Sequence, residues 1–320
     1  MQYHPTRKHR WGVILAGGEG VRLRSLTRLV SGDDRPKQFC PLLGERTLLA
    51  QTRNRIARDF SGHRTLFVLL RSHERFYAQE LSNVAPIQMV VQPANRGTLP
   101  AILWSLLHIT HLDEQAVVAF FPSDHHYADE AKFMAGVELA LGVAEADAQN
   151  VILLGAAAKH PEPGYGWIEA EAAISTRASN GLLRVKRFWE KPSDEVSQEL
   201  FNRGCVWNTF VMVGRAQAFL DTIRSAAPAV SQALEPVLPP CREMNPAMMS
   251  GVYERLDTTD FSRVVLSAAP ERLRVLCVGD VGWSDLGEPQ RVITALSQSG
   301  VERKWASMWH GEAAAASAAC

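Results

Sequence analysis

The sequence predicts an α/β protein: a doubly wound, mainly parallel but mixed sheet with helices on both faces. Three observations carry this. Short runs of Val, Ile, Leu and Phe without internal polar alternation recur through the first half of the chain, as strands buried on both faces require. Amphipathic stretches of helical period separate them. Strand–helix–strand repetition of this kind needs crossover connections, and crossovers favour parallel pairing.

Taken in order, residues 11–16 form the first buried strand and run straight into Gly17, Gly18 and Gly20. Helices are predicted over 47–58, 73–83, 99–111 and 129–146. The third of these places Ile102, Leu106 and Ile109 at helical spacing. Strands fall between them at 65–70, 87–92, 116–122 and 151–157. After about residue 160 the texture changes. Residues 168–172, 182–189 and 206–213 read as longer strands joined by turns, with helices over 193–203 and 215–226. Pro228, Pro236, Pro239, Pro240 and Pro246 break the next stretch into short helices and loops. Residues 273–278 are the last strand. The Ala-rich end from Gly311 has no period and is expected to fray.

Composition narrows the function. The 320 residues carry 34 Lys+Arg and 34 Asp+Glu, a formal net charge of zero. This excludes a nucleic-acid binder that works through bulk positive charge, and leaves room for a local basic pocket that takes a phosphorylated small molecule. Hydrophobic content of 46% and charged content of 21% are globular values. Cys40, Cys205, Cys241, Cys277 and Cys320 stand singly, which offers neither a zinc ribbon nor a redox pair and fits reduced thiols. The basic start (Arg7, Lys8, Arg10) precedes an apolar run too short for a secretory leader. No stretch approaches the roughly 18 apolar residues of a membrane span. A cytoplasmic protein without membrane or nucleic-acid partners is expected.

The chemistry begins at Leu15-Ala16-Gly17-Gly18-Glu19-Gly20-Val21-Arg22-Leu23. Glycines after a strand let backbone N–H groups approach a phosphate closely. The plain alternative is a structural turn. A dinucleotide fingerprint would need glycine at Leu23, and a P-loop would need a Gly-Lys-Ser/Thr ending; neither is present. Arg22 and the segment Arg35-Pro36-Lys37-Gln38-Phe39 add cations suited to phosphate oxygens, although either cation alone reads equally as a solvated surface group.

These two segments resemble the sugar-phosphate nucleotidyltransferases, and within them the mannose-1-phosphate guanylyltransferases. Five further blocks follow in the family's order: Gln92-Pro93-Ala94-Asn95-Arg96-Gly97-Thr98, Pro122-Ser123-Asp124-His125, Gly164-Tyr165-Gly166-Trp167-Ile168-Glu169, Phe188-Trp189-Glu190-Lys191-Pro192 with Trp207-Asn208, and Gly282-Trp283-Ser284-Asp285-Leu286-Gly287. Together they span nearly the whole chain. The resemblance implies a Rossmann-like fold of the nucleotide-diphospho-sugar transferase type. It divides the chain into an extension (1–10), a catalytic domain (11–300) with a nucleotide half (about 11–150) and a sugar half (about 151–300), and a flexible tail (301–320).

By the same resemblance, a sugar-1-phosphate oxygen attacks the α-phosphorus of a nucleoside triphosphate, GTP with mannose-1-phosphate being the expected pair, and pyrophosphate leaves. Arg22 and Lys37 are then the catalytic cations. Leu15, Ala16, Gly17, Gly18, Gly20, Gln92 and Gly97 would bind the nucleotide. Gly166, Glu190, Lys191 and Asn208 would bind the sugar phosphate. Asp124 and Asp285 would hold Mg²⁺, which takes few protein carboxylates and completes its octahedron with phosphates and water. On residues alone, Asp124 reads equally as a helix N-cap and Glu190-Lys191 as an exposed charge pair. The expected partners are these small substrates, and self-association is left open. Val21, Ser25, Thr209-Phe210, Ser262 and Ser267 depart from the family's pattern, largely on the sugar side. Two rival readings remain: a different sugar phosphate used with UTP or dTTP, and a regulatory protein that binds nucleotide sugars with little catalysis.

Overall fold

The computed structural model describes residues 8–171, 181–237, 246–306 and 308–309, with side chains of 246–248 excepted. Cys241, Cys320 and the Ala-rich end from Gly311 lie outside the described residues. So does residue 172, the last of one expected strand.

The glycine run is fed by β1 (Arg10–Leu15) and followed by α1 (Arg24–Ser31) and α2 (Leu48–Ile56). Next come β2 (Thr65–Leu70), α3 (Glu74–Tyr77), β3 (Met89–Gln92), α4 (Thr98–Leu112), β4 (Val117–Pro122), α5 (Glu130–Ala146) and β5 (Val151–Ala157). The second half contains β6 (Gly166–Ala170), β7 (Leu182–Glu190), α6 (Asp194–Asn202), β8 (Val206–Arg215), α7 (Ala216–Ala226), α8 (Pro228–Leu234), α9 (Pro246–Arg255), β9 (Leu273–Gly279) and α10 (Pro289–Ser299).

Local chemistry sets several of these boundaries. Thr47 caps α2, its hydroxyl accepting from the Ala50 N–H at 3.0 Å. Asp129 caps α5 by accepting from the Lys132 N–H at 2.9 Å. The strand expected over 87–92 begins only at Met89, because Pro86 seeds a 3₁₀ turn over Pro86–Gln88. The helix expected over 73–83 is regular only across α3. It continues as turns, with Leu81 N bonding to Tyr77 O and Ser82 N to Gln79 O. Helix α1, which no periodicity announced, follows the glycine run through a short 3₁₀ turn at Val21–Leu23.

The strand order is β3-β2-β1-β4-β8-β5-β9-β7-β6. The first four are parallel, as their crossover helices demand. Strand β8 then enters antiparallel between β4 and β5, and β5 pairs parallel with β9. Strands β6 and β7 pair antiparallel, and β6 also meets β8 at Trp167↔Trp207. The all-parallel character therefore belongs to the first half, and the mixed character to the second.

Alternation along each strand splits the core between the two faces. Trp11 and Val13 of β1 join Val118 and Phe120 of β4 under α4 and α7. Ile14 joins Phe67, Phe121 and the α5 residues Phe133 and Val137 on the other face. Buried Arg10, inside the expected N-terminal extension, begins β1 and pairs with Glu138 and Glu145 of α5, at 2.6 Å each. A third, smaller core brings Val292 and Leu296 of α10 onto Leu23, Leu26 and Leu48. Trp305, inside the expected tail, packs into it and is 8% exposed. This core binds the chain's last described elements to the glycine run, and it places residues 282–287 over the strand ends.

Candidate active site

Because β1 to β4 are parallel, their carboxyl ends open on one side, where open α/β sheets bind ligands. Antiparallel β8 contributes its amino end there, so Asn208 meets residues following β1, β3 and β4. The result is a cleft of about 750 Å³. Leu15, Gly17, Gly18 and Gln92 line one end, and Gly166, Glu190, Lys191 and Asn208 line the other; Asp124 and Asp285 open onto the same cleft. It is thus one space in which the expected sugar-phosphate residues meet Leu15, Gly17, Gly18, Gln92 and Gly97 of the expected nucleotide residues, while Ala16 and Gly20 are not among its lining residues.

The glycine run is held in shape by a residue whose role the sequence did not signal. Buried Gln38 donates its amide to Ala16 O at 3.0 Å and to Gly18 O at 2.7 Å. Gly20 is left-handed (φ 60°), and a Cβ there would lie 3.0 Å from the Lys37 backbone nitrogen. The Arg-Pro-Lys-Gln segment therefore seats the loop as well as supplying its cation.

Lys37 is not itself a lining residue of the cleft, but it ties the two aspartate segments together. Its Nζ stands 3.1 Å from Asp124 Oδ2 and donates to the backbone carbonyls of Asp285 (2.5 Å) and Leu286 (3.3 Å). Arg22 is 58% exposed, with a guanidinium nitrogen 3.6 Å from Glu288, and like Lys37 it is not a lining residue of the cleft. A Cβ on Gly287 would lie 2.9 Å from an Arg22 guanidinium nitrogen and 2.6 Å from Asp285 Oδ2, so the guanidinium and that carboxylate flank Gly287. The site's second buried cation is Arg291 of α10, which sequence reasoning missed. It donates to Asp285 Oδ1 at 2.6 Å, pairs with Glu162 at 3.0 Å, and lies 4.4 Å over the Tyr165 ring.

Burial pushes the Asp285 carboxyl up, but Lys37 and Arg291 more than cancel this and hold it below the usual range. Among the described residues no cluster of three or more acidic, His or Cys side chains could hold a metal. Two carboxylates on separate loops are nonetheless the hard-oxygen donor set that Mg²⁺ accepts beside phosphate and water. Asp285 Oδ1 is engaged by Arg291 and the Gly287 N–H, and no hydrogen bond to Oδ2 is found among the described residues. The residues fit a magnesium site completed by the substrates. Next to Asp124, burial pushes His125 down towards its neutral form. Its Nδ1 lies 3.1 Å from Thr209 O and 3.2 Å from the indole N–H of Trp283.

At the nucleotide end, the Gln92 amide oxygen accepts from the Tyr253 hydroxyl at 3.2 Å, which turns the amide nitrogen towards Gly17. Gly97 has φ 84° and abuts the Thr259 backbone so closely that no side chain fits. Two cross-links enforce that approach: Thr259 N to Arg96 O at 2.9 Å and Leu99 N to Thr259 O at 3.1 Å. They also carry Asp260 into the cleft, where it accepts from Thr98 and from the Arg263 N–H. Ser262, marked as a departure, opens a π-helical turn that Ser267 closes from its backbone and hydroxyl.

At the sugar end, a Cβ on Gly166 would lie 3.2 Å from Glu190 Oε2 and 3.3 Å from Asn208 Cβ, so these three form one patch. Burial first, then Asp260, pushes the Glu190 carboxyl up to about 7, against Lys191 and Arg263. Lys191 is exposed, 3.8 Å from Glu190. Trp167 and Trp207 are core residues, whereas Trp283 lines the cleft.

Fold and cleft together define an α/β protein whose strand ends carry a glycine turn and two carboxylates bridged by a lysine. Comparison with known proteins makes the membership specific: residues 11–300 match the family described as Nucleotidyl transferase, and the chain belongs to it. It is 31% identical over 297 residues to the xanthan biosynthesis protein XanB of Xanthomonas campestris pv. campestris (strain B100), covering 90% of this chain and 60% of that one. It is 27% identical over 309 residues to mannose-1-phosphate guanylyltransferase 2 of Escherichia coli O157:H7, again covering 90% and 60%. A solved structure described as mannose-1-phosphate geranyltransferase from Thermus thermophilus superposes with a TM-score of 0.74 at 28% identity, covering 87% of this chain and 76% of that one. The chain therefore spans about 60% of the length of the first two relatives. No helix of the described residues is long and apolar enough to cross a membrane.

Proposed function

We propose that this chain is a sugar-1-phosphate nucleotidyltransferase that joins GTP and mannose-1-phosphate into GDP-mannose and pyrophosphate. One observation carries the reading: Asp124 and Asp285, bridged by Lys37, open onto a cleft that Gly17 and Gly18 of the glycine run share with Gly166, Glu190 and Asn208. The name of the Escherichia coli relative supports the choice of base and sugar, and that of the Thermus thermophilus structure supports the sugar.

In this reading the backbone N–H groups of the glycine run receive the triphosphate, and Gln92 meets the base. Asn208 and Glu190 orient the sugar, while Lys191 meets its phosphate. An oxygen of that phosphate attacks the α-phosphorus; the new P–O bond forms as the α–β bridging P–O bond breaks, and the electron pair leaves with pyrophosphate. Lys37 stabilises the charge that gathers at the α-phosphorus, a contact worth about 10²–10³-fold in rate at preorganised sites. Mg²⁺ held by Asp124 and Asp285 would supply further charge neutralisation and a template for the phosphate oxygens. The rest of the catalytic effect is positioning.

The test crosses four nucleoside triphosphates with several sugar-1-phosphates and measures pyrophosphate. GTP with mannose-1-phosphate is expected to be fastest. A preference for UTP or dTTP would replace the donor assignment. No release with any pair would leave the binding-protein reading in its place.

A further inference from the structure

Strand β8 does not run regularly through the site. Its pairing with β5 steps from Leu153↔Met212 to Gly155↔Asn208, so Thr209, Phe210 and Val211 stand opposite the single residue Leu154. This is a bulge of two extra residues, the kind of irregularity that re-aims a side chain beside a binding site. Side chains of the same segment hold it. Asn208 Oδ1 accepts from the Phe210 N–H at 3.1 Å, and the Thr209 hydroxyl donates to Leu154 O at 2.7 Å. At its centre Phe210 is left-handed, φ 59°. A bulky residue there is strained by about 1–2 kcal/mol, and glycine would carry none of that strain. The strain sits under a half-buried ring that lines the cleft two residues beyond Asn208, with Ser262 and Val264.

We propose that Phe210 is a specificity-determining residue at the acceptor end of the cleft, an apolar wall that admits hexose-1-phosphates bearing only hydroxyl or hydrogen substituents and rejects N-acetylated hexosamine-1-phosphates. The inference rests on the nucleotidyltransfer reading and deepens it. Two effects act in the same direction. The cleft of about 750 Å³ must hold a nucleotide and a sugar phosphate together, and the pinned ring removes space at the sugar end. An acetamido group pressed against it would also leave its amide without a partner, a loss that apolar walls impose on buried polar groups. Discrimination by an apolar pocket of this type is worth about 10–200-fold.

The experiment measures kcat/KM for a hexose-1-phosphate and its N-acetylhexosamine counterpart, at saturating nucleotide, in the wild type and in Phe210→Gly, Phe210→Ala and Phe210→Leu. Glycine relieves the left-handed strain of about 1–2 kcal/mol that alanine keeps, so the glycine variant offsets part of the packing lost with the ring. The ratio of N-acetylated to plain acceptor is expected to rise about tenfold or more in the glycine and alanine variants. It should stay near the wild-type value in the leucine variant, and the KM for nucleotide should not move. An unchanged ratio in both small variants, with the wild type active, overturns the assignment of Phe210 alone. A parallel rise in the nucleotide KM also overturns it, because the ring would then be a general support. A wild type inert with every acceptor overturns the nucleotidyltransfer reading itself.

Discussion

Replacing Glu190 with glutamine removes a charge that the fold must bury. The carboxyl lies at the end of β7, with Asp260 near it on one side and only the exposed Lys191 and Arg263 opposing. In the unfolded chain it titrates near its ordinary 4.5; in the folded protein it keeps its proton up to about 7. Between those values the folded state binds more protons than the unfolded one, so stability falls as pH rises and the full deficit is reached above 7. The difference amounts to about 3 kcal/mol in the limit, of which about 2 kcal/mol develops between about pH 5.5 and about pH 8. Glutamine has no such titration. Urea unfolding of both proteins at the two pH values, without ligands, should therefore show Glu190→Gln gaining about 2 kcal/mol on the wild type as pH rises. Parallel stability curves across that range would refute the reasoning, since Glu190 would then be solvated enough to titrate normally.

Lys37→Ala should lower kcat about 10²–10³-fold in the pyrophosphate assay, with the fold retained by circular dichroism; a loss under tenfold would remove Lys37 from the chemistry. Asp285→Asn should raise the Mg²⁺ concentration needed for half-maximal activity by about tenfold or more, and an unaltered Mg²⁺ titration would exclude Asp285 as a ligand. Gly97→Ala must displace the Thr259 backbone and also adopt φ 84°, so urea unfolding should show a loss of more than about 2 kcal/mol; a neutral result would mean that the two loops are not clamped.

The strands of the first half were legible because both faces are buried, and an unbroken apolar run needs no partner to be recognised. The direction in which β8 pairs was not, since alternation reports which faces are covered and says nothing of the neighbour's polarity. The same division runs through the site. Gly17, Gly18, Asp124, Asn208 and Asp285 stand in local motifs, and the structure gathers them in one cleft. Arg291 and Gln38 act through contacts made across the fold, and their local sequence carries no sign of them. Arg22, directly after the glycines, stands on the turn at Val21–Leu23 with an exposed guanidinium 3.6 Å from Glu288. Asp260 stands two residues before Ser262, and its approach to the cleft depends on the Arg96–Thr259 cross-link.

Three residues other than glycine have positive φ, among those described: Lys191 (48°), Phe210 (59°) and Leu286 (47°). They follow the end of β7, interrupt β8 and succeed Asp285 respectively; Lys191 and Phe210 line the cleft, and Leu286 lies behind Asp285, which also lines it. Their spread over three distant segments makes a shared cause more economical than three accidents. At each point a neighbouring polar side chain has to turn out of the regular ladder: Glu190 before Lys191, Asn208 before Phe210, Asp285 before Leu286. Strain of this kind persists only where surrounding packing over-determines it. Leu286 is fully buried in the third core, and Phe210 is pinned by Asn208 and Thr209. The aromatic wall of Tyr165, Trp207 and Trp283, with ring centroids 4.7–6.1 Å apart, stiffens the ground between them. The sugar half thus resembles a strained frame braced by its core. That is why the residues departing from the family pattern cluster there: the brace can be rebuilt with Thr209 and Phe210 as long as Glu190, Asn208 and Asp285 still face inward.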